Sequence, residues 1–327
     1  MRWPSRSACL AAALLGLGTP ARAQRLDSLV VRLAEMSAVS GLEDAMAESL
    51  AAALPGAVLD RAGNVVWTRG SGAPVRVALC PLDEVGYVVG AITPDGYLTL
   101  RRVGTTPEGP TFDQALEGQR VTVFGRRGPV PGVVGVRSVH LSRGRLAAPE
   151  EPFSLDNAFV DVGASSAAGA AELGIALLAP VTRAKRAHHY GIDLVAAPDA
   201  AARAACAALL NAALRPAAGG AGTAGGTVVA AFTRRRNFRW DGAAFLLGER
   251  AAAGGDVVVL AGAGAADSLG LGAAPARRDS LPLADGWRPT VAWVLPTRYA
   301  ATSVETVSLR DVPMLAARLR RFLGGAP

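Results

Sequence analysis

The chain has 327 residues, half of them apolar, with 34 Lys and Arg against 27 Asp and Glu for a net charge of +7. That length holds one large domain or two smaller ones with full cores, and the composition is that of a soluble globular protein. The positive balance comes from Arg used almost to the exclusion of Lys, with no basic stripe interleaved with aromatics, so nucleic acid is set aside as a partner.

The first stretch, MRWPSRSACLAAALLGLGTPARAQ, has Arg2 and Arg6, an apolar run from Ala8 to Leu17, and a small-x-small site at Ala21-Arg22-Ala23. This is the pattern of a cleaved secretory signal over residues 1–23, and its apolar run is too short to span a bilayer. The mature chain is expected to start near Gln24, with a net charge of +4 once Arg2, Arg6 and Arg22 are removed, and to be secreted or periplasmic. No later segment reads as a membrane span.

Residues 25–54 read as two helices. LDSLVVRLAEM has apolar positions at helical spacing, and SGLEDAMAESLAAAL restarts with Ser40 as the cap and Glu43 three residues on, a capping box. Short strands follow at AVLD, VVWTR and VRVALC. Residues 85–182 are dense in strands and Gly/Pro turns, which predicts a small β-barrel or sandwich. FVDVGASS and AAGAAELGI give a strand and then a helix. From about Gly191 the chain returns to αβ alternation: the helix DAAARAACAALLNAALR, the buried strands GTVVAAFTR and DVVVLAGAG, and a last helix in SLRDVPMLAARLRRFLGG. The expected organisation is a signal at 1–23, the first part of an α/β domain at 24–84, a β-rich insert at 85–182, and the second part of the α/β domain at 183–327.

The expected mature chain has two cysteines, Cys80 and Cys206, both in apolar runs. They read as two buried free thiols, although an exported protein could pair them. There is no CxxC and no Cys/His cluster with zinc spacing. The three histidines are His140, in the β-rich insert, and the adjacent His188 and His189, which on a strand would point to opposite faces.

The stretches SGLEDAMAESL, DRAGNVVW, LDEVGYVVGAITPDGYLTLRRVG, EGQRVTVFG, GVVGVRSVHL, FVDVGASSAAGAAELGI, RAACAALL and VETVSLRDV, in that order, resemble the dizinc aminopeptidases. That family includes glutamyl aminopeptidase, the tetrahedral (TET) aminopeptidases and the proteins once called cellulase M. The resemblance implies a phosphorylase/hydrolase-like αβα sandwich interrupted by a small β-barrel-like domain that makes dimer contacts. It also implies two zinc or cobalt ions, held by carboxylates and imidazoles, with a separate Glu as general base.

Carried over position by position, the resemblance gives a consistent negative. The first His ligand falls on Pro81, in PLDE, leaving Asp83 and Glu84 beside it. The bridging Asp falls on Ala201, ahead of Arg203. The base and the next ligand fall on Arg234 and Arg235. The next Asp falls on Ala261 and the final His on Ala301. Asp83, Glu84 and Arg203 are the pocket residues retained. No metal cofactor is therefore expected, nor a catalytic residue: Ser165 and Ser166 have no His placed to activate them.

Arg234 and Arg235 have two readings. They form a solvated loop, or they face Asp83, Glu84, Asp199 or the carboxylate of a peptide ligand. The reading that results is an exported, catalytically inactive aminopeptidase-like protein with a binding or assembly role. Its expected partners are peptides or carboxylate ligands, and further copies of itself, as a homodimer or larger homo-oligomer through the β insert. The alternative is an active metal-dependent aminopeptidase acting on short peptides with a reduced or displaced metal site.

Overall fold

The computed structural model describes residues 26–104, 113–135, 153–215, 226–251, 254–264, 287, 291–300 and 302–324. The leader at 1–23, His140 and Ala301 lie outside the described residues. Two helices come first, α1 (Leu26–Ala34) and α2 (Asp44–Ala53). Leu29, Val30 and Leu33 are buried along one stripe of α1, as spacings of three and four residues require.

The expected capping box at α2 is not formed. Ser40 donates its hydroxyl to Asp83, and Glu43 accepts the N–H of Gly41. Both side chains are claimed by partners outside the helix, so α2 starts at Asp44 with no side-chain cap.

Three strands follow: β1 (Val58–Leu59), β2 (Val65–Ser71) and β3 (Val75–Pro81). The chain then forms the strands β4 (Tyr87–Ile92), β5 (Leu98–Arg102), β6 (Arg120–Gly125), β7 (Gly128–Val134) and β8 (Phe159–Asp161), the short helix α3 (Ala167–Glu172), and β9 (Pro180–Arg183). These six strands close on themselves as a barrel in the order β4-β5-β8-β7-β6-β9. Tyr87, Val89, Leu98, Leu100, Val121, Val123, Val160 and Val181 fill it. Ser166 caps α3, its hydroxyl accepting the N–H of Gly169, so this serine is structural.

The chain continues through β10 (His188–Tyr190), β11 (Leu194–Ala196), α4 (Ala200–Leu214), β12 (Gly226–Thr233), α5 (Asp241–Gly248), β13 (Gly255–Gly264), β14 (Val291–Arg298), β15 (Thr306–Ser308) and α6 (Asp311–Leu323). The large sheet has nine strands in the order β1-β2-β12-β3-β13-β14-β15-β11-β10. Its centre, β12-β3-β13-β14, is parallel, and its flanks are antiparallel. Alternation along β3 divides its side chains between two layers: Ala78 and Cys80 face the helices α1, α4 and α6, while Val77 and Leu79 face α5, Trp240 and Trp287. The α/β sandwich and the closed barrel agree with the fold read from the sequence.

Helix α4 is the keystone of the larger layer. Residues Ala200 to Ala213 are buried, apart from Ala202, which is partly so. An alanine-rich helix can be enclosed on every side because its small side chains let α1, α6 and the sheet approach closely. The same closeness makes it intolerant of added volume. Ala208→Leu, at a position with no exposure, is expected to destabilise the fold by about 1–3 kcal/mol. A lower urea midpoint with an unchanged slope would show it.

Candidate functional site at the ends of the central strands

Two neighbouring parallel strands, β3 and β12, end together, and β13 runs on beside them. β3 stops at Pro81, which stands opposite Thr233, the last residue of β12. On the other side, Val259 of β13 pairs with Leu79. Ala261, two residues further along, pairs with Val294 of β14, and β13 runs on to Gly264 rather than ending at Ala261. Ala201 lies buried in the first turn of α4, with its N–H donated to the carboxylate of Glu305 at 2.8 Å. Cys80 and Cys206 are joined by a disulfide, with Cα atoms 5.4 Å apart. The sequence reading of two free thiols is thus corrected: apolar surroundings signal burial, and burial does not separate a thiol from a disulfide.

Three buried acids organise this corner, and each is surrounded by donors. Asp83 accepts the N–H groups of Arg236 at 2.8 Å and Asn237 at 2.9 Å, and the hydroxyl of Ser40 at 2.7 Å. Glu84 accepts the N–H of Ala38 at 3.0 Å on one oxygen and Arg203 at 3.0 Å together with Lys185 on the other. Glu43, with no exposure, accepts the N–H groups of Gly41 and Arg235 and the Nε of Arg234. Charge-assisted bonds of this kind are among the stronger ones. Here they sew the loops at 37–43 and 233–237 to the end of β3.

The two arginines at 234 and 235 do not face Asp83, Glu84 or Asp199. Arg234 turns to Glu43 at 3.0 Å and Asp44 at 2.7 Å, with 12% of its side chain exposed. Burial works to lower its pKa, but its hydrogen bonds to the carboxylates of Asp44 and Glu43, and their charges, outweigh that and raise it above the ordinary value. Arg235 pairs with Asp241 at 3.1 Å and donates to the carbonyl of Ala62. Its backbone is left-handed (φ 59°), a conformation that places its N–H on Glu43. Neither arginine is the freely solvated side chain of the alternative reading. Gly63 explains part of the geometry, since a Cβ there would come within 2.4 Å of the Arg234 guanidinium.

Arg203 has no exposure and donates to Glu84 and to the carbonyl of Leu82. Lys185 and Asp199 complete the cluster, with 3.4 Å between their charged atoms. These two, with Ser40, Glu43 and Glu305, are the members that sequence reasoning missed or placed elsewhere. One signal was present: Lys185 is the only lysine in the chain. His188 and His189 lie exposed on β10, far along the sheet order from β3. Among the described residues, no group of three or more His, Cys, Asp and Glu stands where it could hold a metal ion.

Comparison with known proteins now decides the family. A family profile described as M42 glutamyl aminopeptidase matches residues 63–234, just over half of the chain. The chain belongs to the M42 glutamyl aminopeptidase family. It is 34% identical over 188 residues to SgcX of Escherichia coli strain K12, covering 55% of this chain and 48% of that protein. It is 31% identical over 151 residues to a lysyl aminopeptidase of Pyrococcus furiosus, covering 45% and 42%. The matches thus span about half or less of these relatives' length.

Solved structures with the same fold include an aminopeptidase from Desulfurococcus kamchatkensis, with a TM-score of 0.77 at 19% identity over 93% of this chain and 96% of that one. Another is the TET1 peptidase of Pyrococcus horikoshii, with a TM-score of 0.74 at 20% identity over 91% and 99%. Within this fold, Asp83 and Glu84 are backbone and ion-pair anchors.

The Asp199 carboxylate carries a testable consequence. Partial burial opposes its charge, but the cations of Lys185, Arg203 and Arg183 outweigh burial and hold it at about 2, below the ordinary 3.8. Between those values the unfolded chain binds the proton and the folded chain does not. The stabilisation, on the order of 2 kcal/mol, is therefore complete above pH 4 and lost as the pH falls towards 2. Asp199→Asn is expected to flatten that part of the stability–pH curve, measured by urea unfolding between pH 2 and 5.

Proposed function

We propose that this member of the M42 family is exported, has no metal-dependent peptidase activity, and serves a binding or assembly role. One observation carries the reading: the positions that the family resemblance assigns to metal ligands present no donor, and the acids beside them are already bound. Pro81 offers ring carbons, Ala201 a methyl group, and Arg235 a guanidinium paired with Asp241. Asp83, Glu84 and Glu43 have their oxygens occupied by N–H groups, Arg203, Lys185 and Arg234. Zinc needs Cys, His or carboxylate donors within about 2.0–2.3 Å. This donor set does not fit a pair of such ions, so no reaction step is assigned to a metal here.

Export is supported by the Arg-bearing leader with its small-residue site and by the Cys80–Cys206 bond, which suits an oxidising compartment. The division at 24–84, 85–182 and 183–327 is supported by the chain order, in which the barrel strands fall between Tyr87 and Arg183. The assembly role is supported by the barrel surface, where Leu177 and Leu178 are exposed at a shallow pocket also lined by Phe124 and Pro180, and Leu173 is exposed as well. The TET1 peptidase of Pyrococcus horikoshii assembles into a tetrahedron or a large octahedral shell. A homodimer or larger homo-oligomer through this face is our reading for the present chain. A peptide carboxylate is the ligand class we assign to the loop carrying Arg235, which is 35% exposed, and the exposed Arg239.

Two measurements test this. Metal analysis of the purified protein, with an aminoacyl-anilide assay in added zinc or cobalt, is expected to give far less than one ion per chain and no turnover. Two ions per chain with turnover would overturn the reading. Light scattering after size exclusion is expected to give a dimer or larger species, shifted towards monomer by Leu177→Asp with Leu178→Asp. A monomer at all concentrations would remove the assembly role.

A further inference from the structure

The two sulfurs of Cys80 and Cys206 have no exposure and lie in the core between the sheet and α4. Cys80 immediately precedes Pro81, Leu82, Asp83 and Glu84. Cys206 lies on the helix that carries Ala201 and Arg203. The bond therefore joins the two segments whose ends meet at the site, which the chain itself connects only through 126 residues of sequence separation. The entire barrel lies within that loop. Non-covalent ties across the same corner include the bonds of Arg203 to Leu82 and Glu84 and the pairing of Lys185 with Glu84 and Asp199. Arg203 is a fully buried cation, whose charge costs several kcal/mol to hold away from water.

We propose that the Cys80–Cys206 disulfide is the covalent staple of the β3–α4 corner, and that the protein reaches its stable state only after this bond is made by thiol–disulfide exchange. The balance is simple. Two thiols lose two protons and two electrons as the S–S bond forms. A dithiol–disulfide oxidant takes the electrons, and its own disulfide becomes two thiols. Two consequences follow from the position. Closing so long a loop removes much of the unfolded chain's freedom, which shifts the folding equilibrium by about a hundredfold or more. Full burial also means that a reductant meets the bond only when the corner opens, so the native protein holds it kinetically. The staple stands on the disulfide and its surroundings alone; the reading above bears only on why a corner without metal ions would need it.

The test uses the full chain recovered from an oxidising compartment. Peptide mapping under non-reducing conditions is expected to find Cys80 and Cys206 in one linked species. Millimolar dithiothreitol is expected to leave the bond intact in the native protein and to cleave it in denaturant. Unfolding of wild type with and without reductant is expected to differ by at least a hundredfold in the equilibrium constant. Because this comparison needs no substitution, a Cys80→Ala/Cys206→Ala chain that failed to fold would not obscure the result. Two alkylatable thiols at 80 and 206 in the oxidised preparation would overturn the proposal. So would an unchanged unfolding midpoint after reduction. Metal content and turnover do not enter these readouts, so failure here is distinguishable from failure of the pseudoenzyme reading.

Discussion

A guanidinium with no water contact sits beneath the end of the central strand, and the rest of the corner is built to accommodate it. Arg203 cannot shed its proton, so burial has to be answered by anions and carbonyls at hydrogen-bond distance. Glu84 and the carbonyl of Leu82 supply them. Glu84 then needs its own donors, which come from Ala38 and Lys185, and Lys185 in turn reaches Asp199. The cluster thus connects the start of the described chain, the end of β3, the segment leaving the barrel and the first turns of α4. Removing Glu84 would take the carboxylate partner from both Arg203 and Lys185.

The fold was largely legible because it rests on patterns that survive low identity. The apolar stripe of α1 and the alternation of β3 follow from burial alone. The barrel was announced by the density of turns. The site was legible in part. Asp83, Glu84 and Arg203 could be singled out by position, but their partners could not, because Ala38, Lys185 and Asn237 come from distant parts of the chain. Ser40 and Glu43 show the limit well. Their spacing fits a helix cap, yet tertiary partners won: Asp83 for the serine, Arg234 and Arg235 for the glutamate. The disulfide was hidden for a related reason, since a buried cysteine has the same apolar neighbours in sequence whether or not it is bonded.

The same geometry gives the acids a structural role of their own. In this corner Asp83 and Glu84 accept the backbone N–H groups of Arg236, Asn237 and Ala38. Substituting them would leave buried donors unsatisfied, a penalty of about 1–3 kcal/mol each. Pro81 and Ala201 make no such bonds with their side chains. The two carboxylates thus have a structural role in holding these loops.

The corner between β3 and α4 is tied in more than one way. Among the described residues the ties include the Arg203 bonds, the contact of Glu305 with the first turn of α4, and the covalent link below them. The first two work by charge and hydrogen bonding, and the third is a covalent bond. Ties of both kinds hold β3 against α4, and the barrel inserted between those two segments inherits a fixed base from them.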